Sequence, residues 1–203
     1  MNMIEGGVCA AKGFTANGIH CGIRKNHSKK DLSLILSAVP ASAAAVYTTN
    51  LVKGAPLTVT KRHLENGIAQ AVICNSGNAN TCNANGIEIA ESMCLLTAQQ
   101  LGIRAEDVVV ASTGVIGQPL SIDPIAAGLP ELAAGLSVKG GKAAAEGIMT
   151  TDTVMKEVAV EFQLDGKTCH MGGIAKGSGM IHPNLLQYRY SLQIQSLRRY
   201  KCE

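Results

Sequence analysis

No run in this 203-residue sequence approaches the roughly 20 consecutive apolar residues that a bilayer-spanning helix needs. No basic stretch followed by an apolar one opens it either, so the chain is expected to be soluble, unexported and cytoplasmic. Cys-x-x-Cys pairs are also missing. The seven cysteines, Cys9, Cys21, Cys74, Cys82, Cys94, Cys169 and Cys202, are odd in number and scattered through a chain long enough to bury a core without staples. Free thiols are therefore expected. The five histidines, His20, His27, His63, His170 and His182, are not spaced to complete a four-ligand zinc site, so no metal is expected. An excess of charge is lacking over most of the length. The net +3 resides in residues 185–203, where Arg189, Arg198, Arg199 and Lys201 stand against Glu203, which leaves the preceding residues neutral. A nucleic-acid partner has no support from that balance. A phosphate-cradling loop is absent too, because no Gly-Lys-Ser/Thr closes a strand-to-helix turn.

Tryptophan is absent, and Phe14, Tyr47 and Phe162 are the only aromatics before residue 185, in a body rich in Gly, Ala and Val. Residues 185–203 hold Tyr188, Tyr190 and Tyr200 but no Gly or Ala. Composition thus divides the chain into a domain over residues 1–184 and an unrelated tail over 185–203. The tail lacks a helical stripe; residues 188–194 alternate as a strand can, but loose attachment or disorder is the expectation.

Short apolar runs at residues 34–39, 71–74 and 108–111 read as buried strands. A helix beginning near Asn85 would set Ile87, Ala90, Cys94, Ala98 and Leu101 on one face and stop at Gly102. Ser121-Ile-Asp-Pro opens a second helix, and the Ala-rich residues 140–149 a third. Val158, Val160, Phe162 and Leu164 alternate with polar residues up to Asp165-Gly166, which predicts a two-residue hairpin with that face buried. Mixed strands and helices with an antiparallel pair define an α+β or layered α/β domain.

Four polar segments adjoin these elements. Asn75-Ser-Gly-Asn-Ala-Asn80 can orient a polar ligand, yet the same residues make ordinary turns and caps. Ser112-Thr-Gly-Val-Ile-Gly117 follows a strand, where two consecutive N–H groups could face a carbonyl oxygen turning negative; a tight turn is the other reading. Thr150-Thr-Asp-Thr153 carries three hydroxyls and a carboxylate, suited to a ligand or to a helix end. Lys176, in Ala175-Lys-Gly-Ser-Gly-Met, can fix a carboxylate or remain solvated.

Taken in order, Lys12-Gly-Phe, Asp31-Leu-Ser-Leu-Ile, Val46-Tyr-Thr-Thr-Asn50, the Asn75 and Ser112 segments, Met149-Thr-Thr-Asp-Thr153 and Gly172-Gly-Ile-Ala-Lys-Gly-Ser-Gly-Met-Ile181 resemble the ornithine acetyltransferases, from about Gly6 to Asn184. The resemblance implies a DmpA-like α/β fold, layered and mixed α+β, that is incomplete without a second chain. It also implies a precursor that cleaves itself before a threonine, which becomes the amino-terminal nucleophile of that β chain, within an α2β2-type assembly. Acetyl would pass from N-acetylornithine to the threonine and on to glutamate, with acetyl-CoA as a possible second donor and no cofactor. Thr113 and Gly114 match the family's oxyanion-hole pair, and Thr150 and Lys176 its substrate-binding threonine and lysine. Losing one oxyanion donor costs about 100- to 1,000-fold in rate.

After Asn184 the resemblance ends. Where the family has its nucleophilic threonine this sequence has Gln187, which is no nucleophile. The expectation is a truncated or frame-shifted product, inactive alone. The alternatives are a non-catalytic ligand-binding module, a subunit needing a separate second chain, and a self-processing hydrolase that releases acetate to water. Exposed apolar surface is expected, including the face of Val158 to Leu164 if a second chain covers it.

Overall fold

The three apolar runs read as strands lie in strands: β3 (Leu32–Ser42), β4 (Ile68–Asn75) and β5 (Val108–Ser112). The computed structural model describes residues 1–177 and the backbone of Ser191–Ile194. With β2 (Phe14–Ile19), these strands form a sheet of order β2-β3-β4-β5, antiparallel up to β4 and parallel between β4 and β5. A parallel step needs a crossover, and α2 (Gly86–Leu101) supplies it. The register from Ala71↔Val108 to Asn75↔Ser112 brings the carboxyl ends of β4 and β5 level. The loops that carry the Asn75 and Ser112 segments consequently leave the sheet side by side.

Side chains alternate across this sheet and both faces are covered. Leu32, Leu34, Ala71, Ile73, Val108 and Val110 pack with residues of α1 (Ala55–His63), α2 and α3 (Asp123–Ala134). On the other face Phe14, Ala16 and Ile35 meet Ala144 and Ala145 of α4 (Gly141–Gly147), together with Ile174. Burying these apolar faces contributes about 25 cal/mol for each Å² removed from water and holds the layers together.

Ile174 belongs to a second sheet, of order β1-β6-β7-β8 and antiparallel throughout, made by β1 (Asn2–Met3), β6 (Lys156–Leu164), β7 (Lys167–Ala175) and β8 (Ser191–Ile194). Asp165 and Gly166 have φ of 49° and 73°, and Leu164 pairs with Lys167, so the predicted two-residue turn is of the I′ kind. Where this sheet meets the amino-terminal residues, backbones touch. A Cβ on Gly172 would lie 1.8 Å from the Gly7 carbonyl oxygen, so only glycine fits there. The layered α/β architecture is as expected.

Two expectations need correction. Ile87 is 49% exposed; the buried stripe of α2 runs through Ile89, Ala90, Met93, Cys94, Thr97 and Ala98, because the helix begins at Gly86 with Ile87 turned outward. The hairpin face predicted to be buried is open in this chain, with Val158 48% and Leu164 45% exposed; the opposite face, with Ala159, Gly172 and Ile174, meets the core. Met3, 72% exposed, pairs with Val160 and extends the open face. Strand β2 and helix α1 were not predicted at all. Of the tail, Ser191–Ile194 pair with β7 within the alternating stretch; Gln187 and the other tail residues lie outside the described residues.

Candidate substrate-binding site

The amides of the Asn75 segment face inward. Asn75 Oδ1 accepts the N–H groups of Gly77 and Asn78 at 3.1 and 3.0 Å, while its Nδ2 donates to Ser112 Oγ at 2.7 Å. Asn78 Nδ2 donates to the Gln118 carbonyl, and Asn80 Nδ2 to that of Gly86. Asn75, Asn78 and Asn80 are buried. Their turn-and-cap reading is the one the geometry bears out, since a buried amide without these partners would cost about 1–3 kcal/mol.

The neighbouring loop is fastened to this one. Ala79 N–H donates to Val115 O at 2.8 Å and Gly117 N–H to Thr81 O at 2.9 Å. Thr113 N–H donates to Asn75 O at 2.9 Å, so it is not one of two free consecutive amides as the sequence suggested. Thr113 can offer its hydroxyl, and Gly114 its N–H; neither group is hydrogen-bonded among the described residues. Gly114 has φ of 132°, and a Cβ there would lie 2.7 Å from the Gly77 carbonyl carbon and 2.8 Å from Asn78 N. A backbone conformation open to glycine and a backbone-to-backbone contact thus fix this position together.

Arg24 and Ser76 join the loops to the segment that carries Thr150. The Arg24 guanidinium donates to the carbonyls of Ser76 and Met149, and Ser76 Oγ donates to Gly147 O at 2.6 Å. Asp31, fully buried, holds Arg24 in turn by accepting its backbone N–H at 2.9 Å, along with that of Cys21 at 2.7 Å. Burial lowers the Arg24 pKa, and the charges of Asp31 and Asp152 oppose that effect.

Thr150 and Lys176 meet at one carboxylate. Asp152 Oδ2 accepts from Thr150 N–H at 3.1 Å and from Lys176 Nζ at 2.9 Å; its Oδ1 accepts from Gly177 N–H at 2.6 Å and Lys156 Nζ at 3.0 Å. Burial alone would push this carboxyl up, but the donors, Lys176 foremost, outweigh it and hold Asp152 well below the usual carboxylate range. Hydrogen bonds and peptide links therefore run unbroken from Thr113 through Asn75, Ser76, Arg24, Met149 and Thr150 to Asp152 and Lys176. The sequence named both ends of this chain and missed Arg24, Asp31 and the role of Asp152.

Other reactive groups nearby are quenched. Burial pushes the Cys74 thiol up to about 12 against the pull of Lys176, and burial together with Asp31 does the same to Cys21. All six described cysteines are free thiols. Among the described residues no group of three or more His, Cys, Asp or Glu is placed to hold a metal ion, and no helix is long and apolar enough to cross a membrane. What the site offers is hydrogen-bond donors at the end of a parallel strand pair and a lysine ammonium held beside them.

Fold and site together define a layered α/β protein with a polar, donor-rich loop cluster where two parallel strands end. The ArgJ family model matches residues 15–187, and the chain belongs to the ArgJ family. It is 51% identical over 187 residues to the arginine biosynthesis bifunctional protein ArgJ of Symbiobacterium thermophilum and 49% identical over 186 to that of Caldanaerobacter subterraneus subsp. tengcongensis; each match takes in 91% of this chain and 46% of the relative. The chain thus spans about half the length of these curated relatives. Two solved structures share its fold. The ArgJ crystal structure from Bacillus halodurans superposes with a TM-score of 0.83 at 45% identity, over 90% of this chain and 97% of that one. The ornithine acetyltransferase of Mycobacterium tuberculosis complexed with ornithine gives 0.82 at 37%, over 90% and 98%.

Proposed function

We propose that this chain forms the substrate-binding half of an ornithine acetyltransferase that moves acetyl from N-acetylornithine to glutamate. The observation that carries the reading is the bonded network joining Thr113 and Gly114 to Thr150 and Lys176, four positions that match the family's site. In this reading a threonine hydroxyl supplied by a second chain attacks the acetyl carbonyl. Its own amine takes the proton and passes it to the departing nitrogen as the tetrahedral intermediate collapses, which breaks the C–N bond and releases ornithine. The glutamate amine then attacks the threonine ester and gives up a proton, which passes to the threonine oxygen as the ester C–O bond breaks and N-acetylglutamate leaves. Gly114 N–H and the Thr113 hydroxyl face the oxygen that turns negative in each half; Lys176 and Thr150 hold the substrate. Acetyl-CoA is an optional donor and no cofactor takes part.

Gln187 stands where the nucleophile is expected, so the chain binds ligand but does not turn it over alone. Isothermal calorimetry on the 203-residue chain should detect N-acetylornithine or ornithine, and Lys176→Ala should weaken binding about 10- to 100-fold, the worth of a hydrogen bond to a charged group. Acetyl transfer by the pure chain would sink the inactivity. The open face of Met3, Val158 and Leu164 favours a second reading within the first, a subunit completed by a β chain in an α2β2-type assembly. Activity restored by adding a relative's carboxyl-terminal half would support it; absence of any complex would oppose it.

A further inference from the structure

Asp152 lies between the two residues assigned to substrate binding and touches neither by accident of sequence. Its side chain is 2% exposed, and one oxygen bonds both the Thr150 N–H and the Lys176 ammonium, although 24 residues separate Asp152 from Lys176. Gly177 makes room for this arrangement, because a Cβ there would lie 2.6 Å from Asp152 Oδ1. Two ammonium groups, Lys176 and Lys156, share the one carboxylate, which leaves the cluster net positive. An ammonium has three N–H donors. For Lys176, Asp152 Oδ2 and Gly177 O engage two of them, at 2.9 and 3.1 Å, and no further acceptor among the described residues takes the third.

We infer that Asp152 is a positioning residue: it holds the Lys176 ammonium and the Thr150 backbone as a preformed receptor for a ligand carboxylate, with one lysine N–H left to make the bond. The inference rests on the substrate-binding role proposed for Thr150 and Lys176. It deepens that role by assigning the orienting group and the chemical class of the ligand atoms. Asp152 itself, surrounded by donors, does not contact the anion.

Trace acylation of lysines with acetic anhydride on the folded 203-residue chain, read by peptide mass spectrometry across pH 7–10, tests this without turnover. In the wild type Lys176 should react about tenfold more slowly than exposed Lys53, because its amine is mostly buried and hydrogen-bonded to Asp152. Asp152→Asn should raise its rate about tenfold, with a smaller rise at Lys156, and Asp152→Glu, which keeps the charge, should restore slow labelling. A merely structural loosening would also speed Lys30, which pairs with Glu146 near the carboxyl end of α4. Lys176 labelling as fast as Lys53 in the wild type overturns the inference, and that measurement decides even if a variant fails to fold. An unchanged Lys176 rate in folded Asp152→Asn overturns it equally. Calorimetry on the same samples separates the two claims: normal labelling with no binding of N-acetylornithine or glutamate defeats the acetyltransferase reading and leaves the Asp152–Lys176 pairing standing.

Discussion

Gly114 is constrained twice over, by its backbone conformation and by its neighbours. Its φ of 132° and its contact with the Gly77–Asn78 backbone leave no space for a methyl group. Gly114→Ala should lower stability by about 1–3 kcal/mol, as strained positions of this kind do, and should separate the two loops; thermal melts and amide exchange at Ala79 would show it. Asp152 has a different signature. Its carboxyl titrates lower in the folded chain than in the unfolded one, so its contribution to stability is present above the unfolded value of about 4 and is lost as pH falls through the folded one. The melting-temperature gap between wild type and Asp152→Asn should therefore be widest near neutrality and should close as pH is lowered below 4; a gap independent of pH would refute the linkage. Thr113, Gly114, Thr150 and Lys176 could be singled out from sequence because they stand in motifs. Asp152 stood in one of those motifs too, but its partner Lys176 arrives from a hairpin later in the chain, and local sequence does not encode that meeting. Arg24 was invisible for the same reason, since its acceptors, Ser76 and Met149, come from distant segments.

Among the elements, the β6–β7 hairpin was read with its register because its turn chemistry is local. Both turn residues have positive φ, and Gly166→Val should cost about 1 kcal/mol or more in stability, measurable by denaturant unfolding. Helix α1 escaped notice for the opposite reason. Thr58, Val59 and Thr60 are β-branched and favour strand over helix. Tertiary bonds override that preference: Thr60 Oγ1 donates to Val110 O at 2.8 Å and His63 Nδ1 to Val108 O at 2.9 Å, tying the helix to β5. In α2 the predicted face held at Ala90, Cys94 and Ala98 and failed at Ile87, because an outward Ile87 and a buried Met93 are equally apolar in sequence.

At the scale of the whole molecule, composition and alternation gave the layered class but neither the strand order nor which hairpin face is covered. The open face of the second sheet sets Met3, Val158 and Leu164 towards solvent. Concentration-dependent self-association is expected in sedimentation velocity, and Val158→Lys with Leu164→Lys should abolish it without lowering the melting temperature, since neither side chain reaches the core. A monodisperse wild type at high concentration would contradict this.

The pairing of Asn2 with Glu161 and Met3 with Val160 sets a clock on the ribosome. Once made, β1 must wait for β6, more than 150 residues later, before it meets that partner. At about 5–20 residues per second that delay is roughly 8–30 s. During it the β2–β5 layer can already close over α1 and α2, whose contacts are nearer in sequence. The second sheet is thus the late-folding unit of this chain, and its amino-terminal edge is the segment a chaperone has longest to hold.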